Sequence, residues 1–502
     1  MNRLAIDLQK TAQLGAKFLY IVTLLFILLG VYVHPYFHIG AVLAGGLALV
    51  NLYFKHVQTH HALLRNFGLL AMARYIFESI GPEMRQYFYL SDTEERPFNR
   101  TERSEVYQKS KDVDSTNAFG SQMEFNHHEI KLRHSMYPML NDEVAPFEVT
   151  FGEERKCKNA YTITKPMIIS AMSFGALGSH AVSALSLGAK KAGIPMNTGE
   201  GGLSLYHLSG GCDIIFQMGT AKFGCRNNDG SLNEKKLKDI CKHKEVKMVE
   251  IKFSQGAKPG KGGLLPKEKI TEEIARIRHV PIGKDVISPE RHVECDTTKN
   301  TVKFIRRVQR VSGLPVGIKF CVGNPEEIRA LFKEMKKQKI YPDYISIDGG
   351  EGGTGASPKS FMDIVGMPLF QALDTVTGMM RKEKVRNKMK VLCAGKLINA
   401  GKQIQALAHG ADACYTARGF MMSIGCIQAM QCNKGTCPVG VTTHDPVLQR
   451  GIVIPEKAER VANYVKNTNK EFIELIAAMG VKSAKDLSCK QLYEQKHVTK
   501  EV

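Results

Sequence analysis

The chain has 502 residues, 43% of them hydrophobic, and carries a formal net charge of +20. This length fits two or three domains, or one barrel of about 250 residues with extensions. Twelve cysteines are too few for a disulfide scaffold and indicate a reducing compartment. The positive charge suits an anionic membrane surface or an acidic partner protein, and no zinc-finger, RNA-recognition or arginine-rich motif favours nucleic acid.

An apolar segment near the N-terminus predicts a helical hairpin in a membrane. The 37 residues from Phe18 to Phe54 include no Asp, Glu, Lys or Arg. One helix of this length would exceed a hydrocarbon core of about 30 Å, so the polar break from His34 to His38 predicts a turn between two helices. Each arm has only about 16 strongly apolar residues, which leaves a spanning and a re-entrant hairpin both open.

Basic residues flank this hairpin on both sides, whereas its turn contains no Lys or Arg. They are Arg3, Lys10 and Lys17 before it and Lys55, Arg65 and Arg74 after it. Because Lys and Arg stay on the cytoplasmic side of a membrane, both ends of the hairpin are predicted to be cytoplasmic. The sequence thus predicts a protein of the inner (cytoplasmic) membrane whose main domain faces the cytoplasm.

Composition divides the chain into four predicted segments. The membrane hairpin takes residues 1–56, a charged, helical and partly irregular connector takes 57–160, the main domain takes 161–455, and a helical tail takes 456–502.

Within the main domain, eight short apolar runs alternate with amphipathic stretches of helical spacing. The runs are MIISAM (167–172), IPMNTG (194–199), MVEIKF (248–253), DVISP (285–289), PVGIKF (315–320), YISID (344–348), MKVLCAG (389–395) and ACYTARG (413–419). Eight such units predict an α/β fold, a (β/α)8 TIM barrel. Glycine and charged residues follow the runs, at the rim where these barrels build active sites.

Three cysteines, Cys426, Cys432 and Cys437, lie on one short loop that ends at Pro438. Three thiolates at this spacing suit an iron–sulfur cluster with one vacant iron corner. A zinc site that used His444 as fourth ligand, and three independent buried thiols, are the alternatives.

A glycine-rich segment, Asp348 to Pro358, follows the sixth run. It contains G-x-G-x-x-G from Gly350 to Gly355, and Asp374 lies roughly 20 residues further on, so a dinucleotide-binding fold is an alternative. The motif opens the sixth unit of a series, however, which favours a rim loop that approaches a planar or anionic ligand.

Charged side chains at the ends of the second and third runs indicate an anionic substrate. Glu200 follows the second run, Lys252 lies at the end of the third, and Gln255 and Lys258 follow the third. Two lysines, an amide and a carboxylate on one rim suit an anionic keto acid and proton transfer.

A phosphate site is predicted after the seventh and eighth runs, where these barrels bind phosphate. Gly395, Lys396, Arg418 and Gly419 lie there and favour a phosphate-bearing cofactor such as FMN. Lys319, at the end of the fifth run, would place positive charge beside the flavin.

Six motifs occur in the order and spacing of one known family. They are MSFGALG, NTGEGG, EIKFSQGAKPGKGG, Arg278-His279 before ISP, DGGEGGTGASP and GCIQAMQCNKGTCPVGVTT. From about residue 160 to 455 the chain resembles the FMN-binding synthase domain of glutamate synthase, in the form of its short, membrane-anchored bacterial members.

This resemblance implies two cofactors. A 3Fe–4S cluster would be bound by Cys426, Cys432 and Cys437. By the matching motifs, FMN would contact Ser173, Gln217, Lys319, Gly353, Gly395, Arg418 and Gly419.

The resemblance also implies the reaction, which is the reductive amination of 2-oxoglutarate to L-glutamate with electrons passed from the cluster to FMN. Lys252, Gln255, Lys258 and Arg278 would hold the substrate carboxylates, and Glu200 would manage protons at the imine.

The chain departs from the full-length family pattern in three ways. It begins Met1-Asn2-Arg3 rather than with a nucleophilic cysteine, so ammonia is expected from solution or from a separate glutaminase. Without an evident NAD(P)H domain, electrons are expected from a ferredoxin-like protein, an NAD(P)H-oxidising subunit or a membrane donor. The loop AGKLINAGKQ is longer than the usual double-glycine phosphate loop. A membrane-bound flavin and iron–sulfur electron-transfer subunit without amination activity is the alternative function.

Overall fold

The computed structural model describes residues 2–122, 130–265, 267 and 270–493, with side chains from residue 10 onward. The side chain of Arg3 is therefore not among those described. The end of the predicted tail, residues 494–502, lies outside the described residues. The chain forms two compact units, Met1–Arg100 and Thr101–Val502. The four segment limits drawn from composition stay predictions.

The first unit contains two long apolar helices, α1 (Asn2–Tyr32) and α2 (Phe37–Leu52), which pack against each other. The small residues Ala41, Ala44 and Ala48 of α2 are buried. Lys10–Tyr32 and Phe37–Val57 are long and apolar enough to cross a membrane, by length and composition, and are 6% and 17% buried. The unit continues through Tyr53–Val57, α3 (Ala62–Phe67), Gly68–Ala71, α4 (Met72–Met84) and Arg85–Tyr89.

The second unit is built on a closed barrel of eight parallel strands, as predicted. The strands are β1 (Met167–Ile169), β2 (Met196–Asn197), β3 (Ile214–Met218), β4 (Val246–Lys252), β5 (Val316–Cys321), β6 (Tyr344–Asp348), β7 (Lys390–Ala394) and β8 (Ala413–Thr416). Each strand pairs with the next along the chain, and β8 pairs with β1.

One predicted strand is wrong. In the run 285–289 only Val286–Ile287 is extended, and it pairs antiparallel with Leu264–Leu265 outside the barrel. The third barrel strand is β3, IIFQM, so Lys252 ends the fourth strand rather than the third. All five residues of β3 are buried, whereas Ile287 is 70% exposed, so burial on both faces separates the barrel strand from the hairpin strand.

Helices follow the barrel strands along the chain, and further helices lie before the first strand and near the C-terminus. They are α5 (Arg100–Lys111), α6 (Ser179–Ala192), α7 (Leu205–Leu208), α8 (Glu234–Cys241), α9 (Glu272–Arg278), α10 (Thr298–Ser312), α11 (Pro325–Gln338), α12 (Lys359–Ile364), α13 (Leu369–Lys382), α14 (Ala400–Ala408), α15 (Arg418–Ser423), α16 (Pro446–Gln449) and α17 (Ile454–Ala478). Single turns lie at Asn141–Glu143, Arg386–Lys388, Ala484–Asp486 and Cys489–Gln491.

Helix α10 shows how sequence sets an element of the outer ring. The side chain of Thr297 accepts a hydrogen bond from the backbone amide of Asn300 and caps the first turn. Val302, Ile305 and Val308 are buried at a spacing of three residues, and the helix ends at Gly313 with a φ of 65°.

A small hairpin, Val149–Phe151 paired with Tyr161–Ile163, closes the amino-terminal end of the barrel. Its buried side chains join one core cluster with residues of the strands, and the rings of Phe151 and Tyr344 lie 5.4 Å apart. Tyr344 begins β6, so this end is filled and the opposite end, where the strands finish, is left for the site.

Beyond α17, the predicted helical tail becomes turns and a short strand, Leu492–Tyr493, which pairs antiparallel with Lys131–Leu132.

Candidate active site

Two predicted residues form an ion pair at the carboxyl end of the barrel. Lys252 ends β4, Glu200 follows β2, and the Lys252 Nζ lies 2.9 Å from the Glu200 Oε1. The Lys252 Nζ also donates a hydrogen bond of 2.9 Å to the Gln255 Oε1. The side chain of Lys252 is 10% exposed and that of Glu200 is 21% exposed, so this ion pair is largely shielded from water.

Lys258 and Arg278 are two further cations that act on Glu200, and both are 5% exposed. Burial opposes ionisation of Glu200, but attraction to Lys252, Lys258 and Arg278 outweighs burial and lowers the pKa of Glu200. Three cations therefore surround one carboxylate, and the site keeps two positive charges in excess.

The guanidinium of Arg278 lies in a pocket of backbone and aromatic surface. Its Nη2 donates to the Phe174 carbonyl at 3.1 Å, and its Cζ lies 5.3 Å from the centre of the Phe223 ring. Its Nε is buried and makes no hydrogen bond within the described part of the chain. A Cβ at Gly175 would lie 2.8 Å from Nη2, so glycine makes room for this cation. Burial lowers the pKa of Arg278 to about 10, which leaves it charged at neutral pH.

Ser173, predicted to contact the flavin, lies against the loop that carries Glu200. A Cβ at Gly199 would lie 2.8 Å from the Ser173 nitrogen, and a Cβ at Gly201 would lie 2.7 Å from the Ser173 Cβ. The loops after β1 and β2 are thus in direct contact.

A buried carboxylate, Glu250, binds the side chains of three strands inside the barrel. It accepts hydrogen bonds from Asn197 Nδ2 at 2.9 Å, Gln217 Nε2 at 2.7 Å and the Tyr415 hydroxyl at 3.0 Å. Gln217, a predicted flavin contact, is therefore oriented by Glu250.

Lys319 lies beside this network and pairs with Asp348, at 3.1 Å between Nζ and Oδ1. Burial disfavours its charged form, but Asp348 and Glu250 outweigh burial and raise the pKa of Lys319. Asp348 also accepts from the backbone amide of Gly256 at 3.1 Å, which ties the loop after β4 to the end of β6.

The predicted phosphate residues meet around Arg418. A Cβ at Gly353 would lie 3.1 Å from the Arg418 Cζ, and the Arg418 Nη2 donates to the Glu351 carbonyl at 2.9 Å. Gly395 is close to the same loop, since its Cβ would lie 3.1 Å from the Glu351 Oε1. Burial and the charge of Arg418 both lower the pKa of Lys396, so two cations lie near each other after β7 and β8.

Gly419 is placed differently from the other predicted phosphate residues. A Cβ there would lie 2.4 Å from the Tyr464 hydroxyl of α17 and 2.7 Å from the Thr416 Cγ2. Close packing of α17 on the start of α15 accounts for this glycine.

Cys432 and Cys437 of the loop both lie close enough to Cys426 to act on its thiol. Burial raises the pKa of the Cys426 thiol to about 11, and these two thiols raise it in the same direction. The loop also contacts the glycine-rich segment, because a Cβ at Gly355 would lie 3.9 Å from the Cys432 Cβ. A ligand set on this loop would therefore lie beside the barrel mouth.

The geometry bears on two alternative interpretations. For the zinc site, the His444 Nε2 lies 3.0 Å from the Gly175 carbonyl and its ring packs edge-on against Phe174, so this nitrogen already contacts the loop after β1. The other alternative was a dinucleotide-binding fold. Asp374, on α13, pairs with His409 at 2.8 Å rather than with the glycine-rich segment. The strands form a closed barrel rather than the open sheet of a Rossmann fold.

The conserved region in glutamate synthase matches residues 97–482 of this chain. The chain belongs to the glutamate synthase family. The glutamate synthase large subunit-like protein YerD of Bacillus subtilis is 38% identical over 464 residues, which cover 85% of this chain and 88% of that protein.

Longer members of the glutamate synthase family match over part of their length. The archaeal-type glutamate synthase (NADPH) of Thermotoga maritima is 34% identical over 64% of this chain and 61% of its own length. A flavocytochrome b2 variant with sulfite bound superposes with a TM-score of 0.46 at 14% identity, over 84% of this chain and 85% of its own. That likeness is too distant to bear on function.

The candidate site of this glutamate synthase-like oxidoreductase also contains residues that the sequence analysis did not single out. Glu250 and Asp348 hold Gln217 and Lys319, and Glu351 accepts from the backbone amide at the start of α13. The sequence did contain a signal for Glu250, which is a charged residue inside the apolar run MVEIKF, two residues before Lys252. Alternate residues of a strand share one face, so a strand there places Glu250 on the same face as Lys252.

Proposed function

We propose that this protein catalyses the reductive amination of 2-oxoglutarate to L-glutamate at the carboxyl end of the barrel. The excess of two positive charges around Glu200 is the observation that carries the proposal, because it matches the charge of a dicarboxylate. Arg278 adds a buried Nε that is available to a ligand.

FMN is the cofactor that these residues fit. Arg418 and Lys396 offer positive charge to a phosphate, and the approach of Gly353 to Arg418 leaves space that a Cβ would fill. Gln217 and Lys319 lie in the adjacent barrel interior, and Ser173 lies on the loop after β1. When bound, FMN supplies a hydride for the imine carbon and accepts electrons singly or in pairs.

The chain's own residues provide binding and proton transfer. Lys252, Lys258 and Arg278 hold the two carboxylates of the substrate and exclude water from the site. Glu200 is ionised because its pKa is lowered, so it accepts the proton released when ammonia adds to the carbonyl carbon. Lys252, 2.9 Å from Glu200, returns a proton to the departing oxygen.

A 3Fe–4S cluster suits the donor set of the cysteine loop, in which Cys432 and Cys437 act on Cys426 and Cys432 lies beside Gly355. It would supply single electrons to the flavin. A ferredoxin-like protein or an NAD(P)H-oxidising subunit would be the electron donor, and a separate glutaminase or solution would be the ammonia source.

The protein is further proposed to act at the cytoplasmic face of the inner membrane. The exposed apolar side chains of α1 and α2, including Leu24, Leu25 and Leu43, support this location.

The reaction is tested by following the flavin. The full chain, purified anaerobically in detergent and reduced, is titrated with 2-oxoglutarate and ammonia while the oxidised flavin band is monitored. Reoxidation that requires both compounds and yields glutamate is expected. A flavin that stays reduced with both compounds, but is oxidised by a quinone or an acidic carrier, would replace the proposal with the electron-transfer function.

Lys252→Ala tests the assignment of the cation that pairs with Glu200. Reoxidation by 2-oxoglutarate and ammonia is expected to slow by about 100-fold or more, because carboxylate binding and proton transfer are both lost. Lys244→Ala is the matched control, since Lys244 is exposed just before the opposite end of the same strand. An unchanged rate in Lys252→Ala would refute its role.

A further inference from the structure

Asp374, His409 and Cys489 form a cluster of ligand-type side chains away from the carboxyl-end rim that carries the candidate active site. Asp374 lies on α13, His409 directly follows α14, and Cys489 begins the turn Cys489–Gln491. Asp374 Oδ1, His409 Nδ1 and Cys489 Sγ lie within 4.8 Å of one another. His409 precedes β8, so the cluster is near the amino-terminal end of that strand, whereas the catalytic residues follow the carboxyl ends.

The Cys489 thiol donates to the Ala408 carbonyl at 3.5 Å, and the His409 Nδ1 is the atom that links the three side chains to one another. The Asp374 Oδ1 lies 2.8 Å and the Cys489 Sγ 3.9 Å from the same nitrogen, the His409 Nδ1. A single ring nitrogen carries either one proton or one lone pair, so it serves one of these partners well. A cation placed between the three atoms would be bound by all of them.

We propose that Asp374, His409 and Cys489 bind one Zn²⁺ ion, with solvent as the fourth ligand. Tetrahedral zinc bonds of about 2.0–2.3 Å separate neighbouring ligand atoms by roughly 3.3–3.5 Å. The Asp374–His409 pair at 2.8 Å would open, and the Cys489–His409 pair at 3.9 Å would close, by about half an ångström each. A carboxylate, an imidazole and a thiolate are borderline-to-soft ligands that select zinc over Mg²⁺. Binding releases the Cys489 thiol proton to solvent.

The burial pattern suits a site that is fixed on one side and open on the other. The imidazole is 3% exposed and packs against the Phe370 ring at 5.0 Å, whereas the Asp374 side chain is 55% exposed and Cys489 is exposed. Zinc can therefore enter from solvent onto a buried imidazole, whose Nε2 has no hydrogen-bond partner in the described part of the chain.

Bound zinc would fasten the C-terminal segment to the barrel. Cys489 precedes Leu492–Tyr493, which pairs with Lys131–Leu132, and the Gln405 side chain of α14 donates to the Ile130 carbonyl at 2.6 Å. Three chain segments that are distant in sequence meet at this point, so a metal link there stabilises the folded state by mass action.

Alkylation of Cys489 tests the site without interference from the cysteine loop. The full chain in detergent is dialysed against EDTA, then treated with iodoacetamide with and without ZnCl₂, and each cysteine-containing peptide is quantified by mass spectrometry. With zinc at 100 times its Kd, alkylation of Cys489 is expected to slow by about 100-fold. Cys157 serves as the internal control and should be unaffected.

Asp374→Asn separates metal binding from folding, because this side chain is half exposed and its replacement keeps the size and the polarity. Protection of Cys489 by zinc should fall by at least tenfold in this variant, with its melting temperature without zinc unchanged within a few degrees. Equal zinc protection of Cys157 and Cys489, protection by MgCl₂, or full protection in Asp374→Asn would overturn the proposal.

Discussion

His207 and His292 are buried side chains whose imidazoles are held in the neutral form. The His207 Nε2 lies 3.2 Å from the Met172 carbonyl, and the His292 Nε2 lies 3.0 Å from the carbonyl of Lys252. Both residues are 0% exposed, and burial lowers the pKa of each to about 4, from the usual 6.5. His292 thus connects the stability of the barrel to the strand end that carries Lys252.

Acidification from pH 7 to pH 5 should therefore destabilise the barrel. Between pH 6.5 and 4 the unfolded state binds protons at these histidines and the folded state does not, so stability is complete above pH 6.5 and is lost as pH falls. At pH 5 the loss is about 2 kcal/mol for each histidine. Melting temperatures of the full chain in detergent at the two pH values measure it.

The control for this pH effect is a pair of substitutions. His207→Gln should reduce the difference in melting temperature between pH 7 and pH 5, whereas His243→Gln, at an exposed position, should leave it unchanged. An identical pH difference in both variants and in the parent protein would contradict the assignment to buried imidazoles.

Sequence predicted the charged residues at strand ends but not their partners inside the barrel. Glu200, Lys252 and Lys258 lie at or just after the ends of apolar runs, where the chain enters glycine-rich loops. This pattern is visible in neighbouring residues of the sequence. Glu250 is identified as a partner only when β2, β3 and β8 close around it, because hydrogen bonds across 33 to 165 residues leave no spacing signature. Asp348 is identified only when β6 lies beside β5, where it pairs with that strand's lysine.

At the scale of elements, the loops after β4 and β6 are in backbone contact at the mouth of the barrel. A Cβ at Gly256 would lie 1.8 Å from the Gly349 carbonyl oxygen, and the Gly256 amide donates to Asp348. Since the obstacle is backbone, it cannot rotate aside as a side chain would.

Gly256→Ala should separate these two loops and disturb both Lys319 and Lys258. We expect a loss of about 1–3 kcal/mol in stability and a fall of about 100-fold in flavin reoxidation by 2-oxoglutarate and ammonia. Gly323→Ala, where nothing lies within 4 Å of a Cβ, should change neither quantity. Thermal melting and stopped-flow absorbance test the pair, and equal behaviour of the two variants would refute the loop contact.

Element prediction succeeded for seven of the eight barrel strands and failed where two short apolar runs competed. The run 285–289 has a β-branched pair followed by Ser-Pro, yet only two of its residues are extended, and they lie in a hairpin. The third barrel strand is Ile214–Met218, which follows Gly-Gly-Cys-Asp. No strand was predicted in this segment after NTGEGG. Periodicity cannot distinguish two short apolar runs, because burial on both faces depends on their neighbours.

At the scale of the whole molecule, the first unit differs from the second in where its apolar side chains lie. In α1 and α2 large residues such as Phe18, Ile21 and Val42 are more than 60% exposed, whereas the barrel strands are buried. Such a surface is stable in lipid and not in water, since burying it in hydrocarbon contributes about 25 cal/mol for each Å².

A hairpin that spans the membrane must expose its turn on the far side, whereas a re-entrant hairpin keeps it within the bilayer or on the near side. His34→Cys places a thiol at the turn between α1 and α2, and His60→Cys places one after α2. A membrane-impermeant maleimide applied to intact cells is expected to label His34→Cys, and to label His60→Cys only after permeabilisation, because the flanking basic residues predict that both ends of the hairpin are cytoplasmic. If neither variant is labelled until the cells are opened, the hairpin is re-entrant. Labelling of His60→Cys in intact cells would reverse the orientation and separate the barrel from cytoplasmic electron donors.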